Sequence, residues 1–388
     1  MTPMTPTQSG GSGGVIYAEQ DMSFRARLSR SLERSSPNVL LLPAIVLVLF
    51  LSIFPLIVSL LLSFSRFQFV AGGYSIRYIG FANYIKLFSG SEQRKFLGAF
   101  DAPSIIALVM GAAALTIIAI MLVQYVRSNR FSPVGLVMRL VAIAFTLALV
   151  WLCMITLSGD GLPGTLVVTL IFVFVGVSAQ YLIGLGLALL VTQNIPGKRF
   201  FRVTFLLPMM ITPVGIGFLF RMMMDTINGP ISPIWKLLGL ADFSWVDTAF
   251  GARTAVIIAD TWQWTPFMFI ILLAALESVP REIVEAALVD GANKWKNFRH
   301  IILPQIMPVS FTLIMIRTIE AFKIVDMPQI LTRGGPGTAT ESMTLYAYNQ
   351  WRALDLGMSA AIAYLLLIVV TFVAMVYVRI LRKRVVVD

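Results

Sequence analysis

The sequence contains almost none of the residues that bind metals or form crosslinks. Its 388 residues include one cysteine and one histidine. A disulfide needs a pair of cysteines, and a zinc site needs several ligands drawn mainly from cysteine and histidine. Cys153, which lies within an apolar run, has no second cysteine with which to form an intramolecular disulfide. With His300 as the one histidine, we also predict no metal cluster.

Charged residues are also scarce. They make up 13% of the chain, whereas hydrophobic residues make up 58%, and soluble domains are only about 45–50% apolar. This balance excludes an ordinary water-soluble fold. The net charge of +11 does not indicate nucleic acid, because the basic residues flank apolar segments and form no patch with stacking aromatic residues. We predict no nucleic-acid partner.

Two sequence features that would change the class of protein are missing. The chain has no Gly-x-x-x-x-Gly-Lys-Ser/Thr loop of the kind that binds nucleotide phosphates, so we predict that it is not an enzyme and that it binds no cofactor itself. The first hydrophobic run starts near Val39 and is too long for a cleavable signal peptide. Residues 1–20 are rich in Thr, Pro, Gly and Ser and lack an apolar core, and we expect residues 1–36 to form a largely disordered cytoplasmic tail.

What the chain does have is a series of long apolar runs. A bilayer core about 30 Å thick needs roughly 20 apolar residues in a helix, and lipid tolerates no other spanning structure except a closed barrel. The runs cover residues 39–64, 105–126, 140–157, 166–191, 203–220, 255–276, 305–326 and 358–378. The sequence therefore predicts an all-α, polytopic membrane protein of about eight transmembrane helices.

The distribution of Lys and Arg predicts the orientation of these spans. Such residues favour cytoplasmic loops. If the N-terminus is inside, more of them fall on the cytoplasmic side, in the N-terminal segment, the second, fourth and sixth connections and the C-terminal segment, than outside. Both termini are therefore predicted to be cytoplasmic. We divide the chain into the tail 1–36, a set of N-terminal spans at 37–163, and a core at 164–388 that includes a cytoplasmic loop at 278–304.

That loop reads SVPREIVEAALVDGANKWKNFRHIILP. Pro280 suits the first turn of a helix, and Asp290-Gly291 is a typical helix end, because glycine adopts the left-handed conformation without steric cost. A second helical piece at 293–301 follows, and Pro304 is expected to open the next span. The loop is predicted to form an elbow of two helices in the cytoplasm; an amphipathic elbow lying on the membrane surface is the alternative.

The elbow resembles the shared loop of permease subunits in bacterial ATP-binding-cassette (ABC) importers, and the matching residues are Glu285, Ala286, Ala287, Gly291, Ile301, Leu303 and Pro304. The resemblance implies the type I importer permease fold and a coupling helix that docks on an ATPase subunit. The residues that it assigns to coupling are Glu285, Ala286, Ala287, Asp290, Gly291, Phe298 and Pro304.

Three further stretches narrow the resemblance to carbohydrate permeases of the maltose and glycerol-phosphate types: FFRVTFLLPMMITP at 200–213, DTWQWTPF at 260–267 and LTRGGP at 331–336. Residues 98–163 depart from the six-span pattern by adding two helices. The resemblance implies import of a sugar or sugar derivative across the bacterial inner membrane by alternating access. It also implies a second permease, two subunits that bind ATP and Mg, and an extracytoplasmic solute-binding protein.

The same resemblance implies a sugar site. Aromatic rings pack on pyranose faces, and carboxylate, amide and ammonium groups bond sugar hydroxyls. The residues that correspond to the family's sugar site are Gln263, Trp264, Phe267, Glu320, Ala321, Lys323 and Asp326.

Alternatives stay open in the sequence for both the site and the function. Arg317, Glu320, Lys323 and Asp326 are spaced three apart in the predicted seventh span, and they could instead neutralise one another in helix packing or lie near the outer interface; the aromatic residues could be lipid-facing or core residues. An ion-coupled secondary transporter of a small polar solute, with Asp260 and Glu320 as its carboxylates, is the alternative function.

Overall fold

A computed structural model describes residues 41–70, 72–103, parts of 105–120, 133–157, 162–193, 196–240 and 242–385. The predicted tail at 1–36 and most of the predicted span at 105–126 lie outside these residues. The chain forms two compact units, Met1–Ser59 and Leu60–Asp388. In the first unit the described residues, 41–59, are helical.

The described part of the chain is mostly helical, as predicted. Two short antiparallel ladders interrupt it: β1 (Ser65–Val70) with β2 (Gly73–Tyr78), and β3 (Gly98–Ala99) with β4 (Leu162–Pro163). The helices are α1 (Leu41–Ser63), α2 (Ala82–Ser89), α3 (Gln93–Phe96), α4 (Pro133–Leu157), α5 (Thr165–Val191), α6 (Lys198–Met210), α7 (Pro213–Met223), α8 (Ser232–Leu237), α9 (Ala249–Glu277), α10 (Arg281–Val289), α11 (Lys294–Ala321), α12 (Asp326–Leu331), α13 (Met343–Arg352) and α14 (Leu356–Val385).

Six of the described helices, or parts of them, are long and apolar enough to cross a membrane. They lie in α1, α4, α5, α9, α11 and α14, and each matches one predicted span. The predicted span 203–220 is not a single helix, since α6 and α7 meet at an angle of 97°. Thr212 caps α7 by accepting a hydrogen bond from Gly215 N, and Pro213 fits its first turn. The total of eight spans remains a prediction.

The seventh predicted span, 305–326, has the wrong bounds. Helix α11 begins at Lys294 and ends at Ala321, so Lys323 lies in a turn beyond the helix and Asp326 starts α12. The helix continues through Phe298–Ile302 as a π-helical turn. Pro304 has no N–H to donate one turn back, and the N–H of Leu303 bonds Phe298 O instead. Pro304 therefore sits inside a continuous helix rather than at the start of a span.

The core of the second unit lies among α5, α9, α11 and α14. Fully buried side chains at Val173, Leu272, Leu313 and Ile362 represent these four helices. Apolar burial drives helix association weakly in lipid, so small residues that permit close contact matter more. Gly184 of α5 is one: a Cβ there would lie 2.7 Å from the Cβ of Met268 on α9.

The segment predicted to hold two extra helices begins and ends at one place in the second unit. Gly98 pairs with Pro163 and Ala99 pairs with Leu162, so the two ends of the segment are neighbours in an antiparallel ladder. The crossing is tight, because a Cβ on Gly98 would lie 2.3 Å from Leu162 O. Of the segment itself, α4 packs through Leu152 against the core.

A polar network fastens α3 to α13. The hydroxyl of Tyr346 donates to Glu92 at 2.7 Å, and the ammonium of Lys95 lies 4.3 Å from the Tyr346 ring centre and 3.3 Å from Glu341. Burial raises the pKa of Tyr346 above its usual range, and the hydrogen bond to the Glu92 carboxylate raises it further. The phenol is therefore held in its neutral, donating form.

Candidate functional site

A buried ion pair joins α9 to α11. The guanidinium Nη2 of Arg317 lies 2.7 Å from Asp260 Oδ2, and the two side chains are 2% and 9% exposed. Charges inside a membrane are costly and are found paired or facing a wet cavity. The direct ion-pair partner of Arg317 is therefore a carboxylate on another helix.

Gln180 of α5 completes this pair. Its Nε2 donates to Asp260 Oδ2 at 2.8 Å, and its Oε1 accepts from Arg317 Nε at 2.8 Å. A single amide thus bonds both members of the pair, and three helices are tied at one point. Sequence reasoning missed Gln180 altogether. The signal that could have found it is a polar residue in the middle of an apolar run, in a chain where two other spans carry opposite charges.

Trp264 lies against the same arginine. The Arg317 guanidinium is 4.6 Å from the centre of the indole ring, a cation–π distance, and the Phe267 ring meets the indole edge-on at 6.4 Å. Both aromatic residues are half-buried, so part of each ring is accessible. The structure therefore brings the predicted residues Trp264 and Phe267 together and adds Arg317 behind them.

The other predicted sugar-site residues lie elsewhere, on α9, on α11, in the turn after α11 and on α12. Gln263 is 4% exposed and its amide makes no hydrogen bond with the described residues. Ala321 is packed in the core. Glu320 and Lys323 form an exposed ion pair of 2.8 Å, and Asp326 begins α12. The predicted set is therefore spread over several surfaces, and the predicted residues that form a continuous surface are Trp264 and Phe267.

The predicted elbow is present between α10 and α11. Gly291 has φ +81°, Gly291 N bonds Leu288 O at 3.1 Å, and Ala292 N bonds Ala287 O at 2.9 Å. This pair of bonds is the Schellman helix end, which requires the left-handed residue that glycine supplies. Asn293 then caps α11 by accepting from Lys296 N at 2.8 Å. Local sequence signals thus fixed the turn correctly.

The residues assigned to coupling fall into two groups in the structure. Glu285, Ala286, Asp290, Gly291 and Pro304 are exposed, whereas Ala287 is buried and Phe298 is half-buried. Large apolar side chains are exposed beside the first group: Val289 is 88% and Trp295 63% accessible. Exposed apolar residues that cluster on one feature indicate an interaction surface.

Comparison with known proteins identifies a matching family. The family described as "binding-protein-dependent transport system inner membrane component" matches residues 180–387. The chain is 36% identical over 217 residues to the trehalose/maltose transport system permease protein MalF of Thermococcus litoralis, covering 56% of this chain and 74% of that protein. It is 31% identical over 217 residues to the sulfoquinovosyl glycerol transport system permease protein SmoG of Agrobacterium fabrum, covering 56% and 70%.

Solved structures support the fold. A chain of a bacterial ABC transporter involved in the import of the acidic polysaccharide alginate aligns with a TM-score of 0.62 at 18% identity, covering 92% of this chain and 99% of that one. A second structure of a bacterial alginate ABC transporter, in complex with a periplasmic protein that holds an alginate pentasaccharide, gives a TM-score of 0.56 at 16% identity. At these identities the likeness concerns the fold alone.

Proposed function

The chain belongs to the family of binding-protein-dependent transport system inner membrane components, it is a multi-pass inner-membrane permease, and from this premise we propose its function. It is the membrane-spanning subunit of an importer that moves a sugar or sugar derivative into the cytoplasm. Transport is coupled to ATP hydrolysis on separate subunits and proceeds by alternating access.

The observation that carries the proposal is the continuity of α11. The helix starts at the elbow with Lys294 and reaches Arg317 without a break. At ~1.5 Å per residue these positions are about 35 Å apart along the axis. A displacement of the elbow is therefore transmitted to the Arg317–Asp260 pair and to the indole of Trp264.

The elbow supplies the surface for the ATPase subunits. Ala287 anchors α10 to its own chain, while Val289 and Trp295 are left exposed. The partner would cover these side chains and contact Glu285, Asp290 and Gly291. ATP and Mg are bound and used by that partner. The π turn at Phe298–Ile302 lies directly above the surface, where a change in helix winding would alter the direction of the span.

The substrate class follows from the relatives and from the exposed aromatic pair. Two relatives are named as transporters of trehalose or maltose and of sulfoquinovosyl glycerol, and Trp264 with Phe267 offers a ring surface for a pyranose face. A second permease subunit would complete the site, and a solute-binding protein would deliver the sugar. Gln263, Glu320, Ala321, Lys323 and Asp326 remain candidates for polar contacts once that subunit is in place.

The ion-coupled alternative has weaker support. A carboxylate that carries protons or sodium must be free to bind and release them. The Asp260 carboxylate instead accepts hydrogen bonds from the Gln180 amide and the Arg317 guanidinium. The other candidate carboxylate, Glu320, is paired with Lys323.

Reconstitution of the complete transporter in proteoliposomes tests the proposal. A panel of sugars is screened with the binding protein present, and we expect one or more to stimulate ATPase activity and to accumulate in an ATP-dependent manner. Uptake that needs no ATP and collapses on addition of a protonophore would contradict the proposal and favour the ion-coupled carrier.

A further inference from the structure

A large cavity lies at the end of the second unit remote from the elbow. Its volume is about 880 Å³. Its walls come from three stretches: 221–227 at the end of α7, 242–247 before α9, and 331–336 at the end of α12. Helix α9 runs from this cavity to the elbow and is 29 residues long, or about 43 Å. The volume falls in the range of small-molecule sites, about 300–1,000 Å³. We name this cavity the outer vestibule.

Charged groups of the vestibule are available for a ligand. Arg333, Asp242 and Asp247 are exposed and make no ion pair or hydrogen bond with any residue that the structure describes. By contrast, Arg221 donates to Ile330 O at 3.1 Å and Asp225 accepts from two backbone N–H groups. The free set is therefore two carboxylates and one guanidinium.

An indole forms part of the same wall. Trp245 packs against Trp235 at 5.6 Å and edge-on against Phe243 at 5.0 Å. Its Nε1 is buried and has no hydrogen-bond partner among the described residues. That nitrogen is therefore closed off from the vestibule, and what the half-buried indole offers a ligand is part of its ring face.

The backbone holds Arg333 toward the vestibule in an uncommon conformation. Its φ is +54°, in the left-handed region that non-glycine residues rarely occupy and that is over-represented at functional sites. Neighbouring bonds fix it there: Gly335 N bonds Thr332 O at 3.0 Å, Thr340 N bonds Gly334 O at 3.1 Å, and the hydroxyls of Thr332 and Thr340 are 2.5 Å apart.

We infer that the outer vestibule is a second carbohydrate-binding site, which holds an uncharged sugar before it enters the membrane. The inference rests on the proposed function. Free carboxylate acceptors and a free guanidinium match the hydroxyl groups of a sugar, and the indole ring offers a surface for its apolar face. Two free carboxylates against one free guanidinium disfavour an anionic ligand. Neither Trp264 nor Phe267 lines the vestibule, so it is separate from the aromatic pair.

Equilibrium binding of tritiated trehalose to the complete transporter in nanodiscs, without binding protein, tests the inference. Trp264→Ala weakens the membrane site, and we expect trehalose binding to remain. In that background Arg333→Gly, which suits the left-handed backbone, together with Asp242→Asn should weaken the remaining binding at least fivefold. Lys236→Gln, an exposed change in the same connection but outside the vestibule lining, is the matched control. All variants are compared as assembled complexes of normal size.

Several results would overturn the inference. Loss of all trehalose binding in Trp264→Ala would leave a single membrane site. Binding that persists in the triple variant would place the second site elsewhere. If the vestibule variants capture less binding protein while their trehalose binding is unchanged, the surface is a protein-docking site. Absence of trehalose binding to the wild-type complex would also count against the vestibule. The proposed function is tested separately, by sugar-stimulated ATPase activity of the wild-type transporter.

Discussion

Arg317 and Asp260 bond each other directly across two transmembrane helices, 2.7 Å apart and almost wholly out of solvent. The relationship ties the elbow-bearing helix α11 to α9, which also carries Trp264. It separates the roles of charges that look alike in the sequence, since Glu320 and Lys323 pair with each other at the exposed end of α11.

Removing one partner of the buried pair should destabilise the protein more than removing both. Arg317→Met leaves the Asp260 carboxylate buried and uncompensated, which typically costs about 3–5 kcal/mol. The double variant Arg317→Met with Asp260→Leu removes both charges and should recover most of that loss. Denaturant titration of the purified protein measures the difference. A double variant as unstable as the sum of the single ones would show that the two residues act independently.

The close approach of α5 and α9 predicts opposite results for two glycines on one helix. Gly184→Ala places a Cβ 2.7 Å from the Cβ of Met268, and overpacking of this kind costs about 1–3 kcal/mol. Gly186→Ala meets nothing within 4 Å, and alanine is the better helix former, so it should be neutral or slightly stabilising. Thermal unfolding compares the two. Equal effects would mean that the helices are not packed as described.

The elbow turn predicts a specific tolerance at Gly291. A Cβ there meets nothing within 4 Å, but φ is +81°, so any cost comes from the backbone and not from a clash. Gly291→Val should cost about 1–2 kcal/mol locally and reduce ATP-driven uptake about tenfold while membrane insertion is unchanged. Gly291→Asn, which tolerates the left-handed conformation, is the control and should retain most uptake. Full uptake in Gly291→Val would remove the turn from the coupling scheme.

Tyr346 predicts a loss of stability at alkaline pH. Burial and Glu92 raise the pKa of the folded phenol above its unfolded value, which is about 10. The contribution is therefore complete below that unfolded value and declines as pH rises above it, because the unfolded chain can then release the proton and the folded chain cannot. Tyr346→Phe removes the titrating group. Its stability should fall less steeply than that of wild type above about pH 10, and parallel curves would refute this origin of the pH dependence.

The elbow shows what the sequence predicts well. Pro280, Asp290-Gly291 and Asn293 are local signals, and their conformations depend mainly on adjacent residues. The spans follow in the same way from apolar run length. The bounds of α11 were harder to predict. Because of the polar residues within 294–300, the hydropathy does not show that the helix begins before the membrane span. Nothing in the sequence near Ala321 marks its end.

The candidate site was predicted only in part, for a tertiary reason. Trp264 and Phe267 are neighbours because they are one helical turn apart. The bonds among Gln180, Asp260 and Arg317 depend on the relative rotation and axial shift of three helices. A three-residue spacing of alternating charges along one helix suggested neutralisation within it, and the geometry of neighbouring helices decided otherwise for Arg317.

The ladder between Gly98 and Pro163 has a consequence for how such chains diversify. Since the strands β3 and β4 lie side by side, a segment of any length can be inserted or deleted between them without displacing the residues on either side. Related chains can therefore gain or lose this segment as one unit, and the residues on either side of it keep their positions.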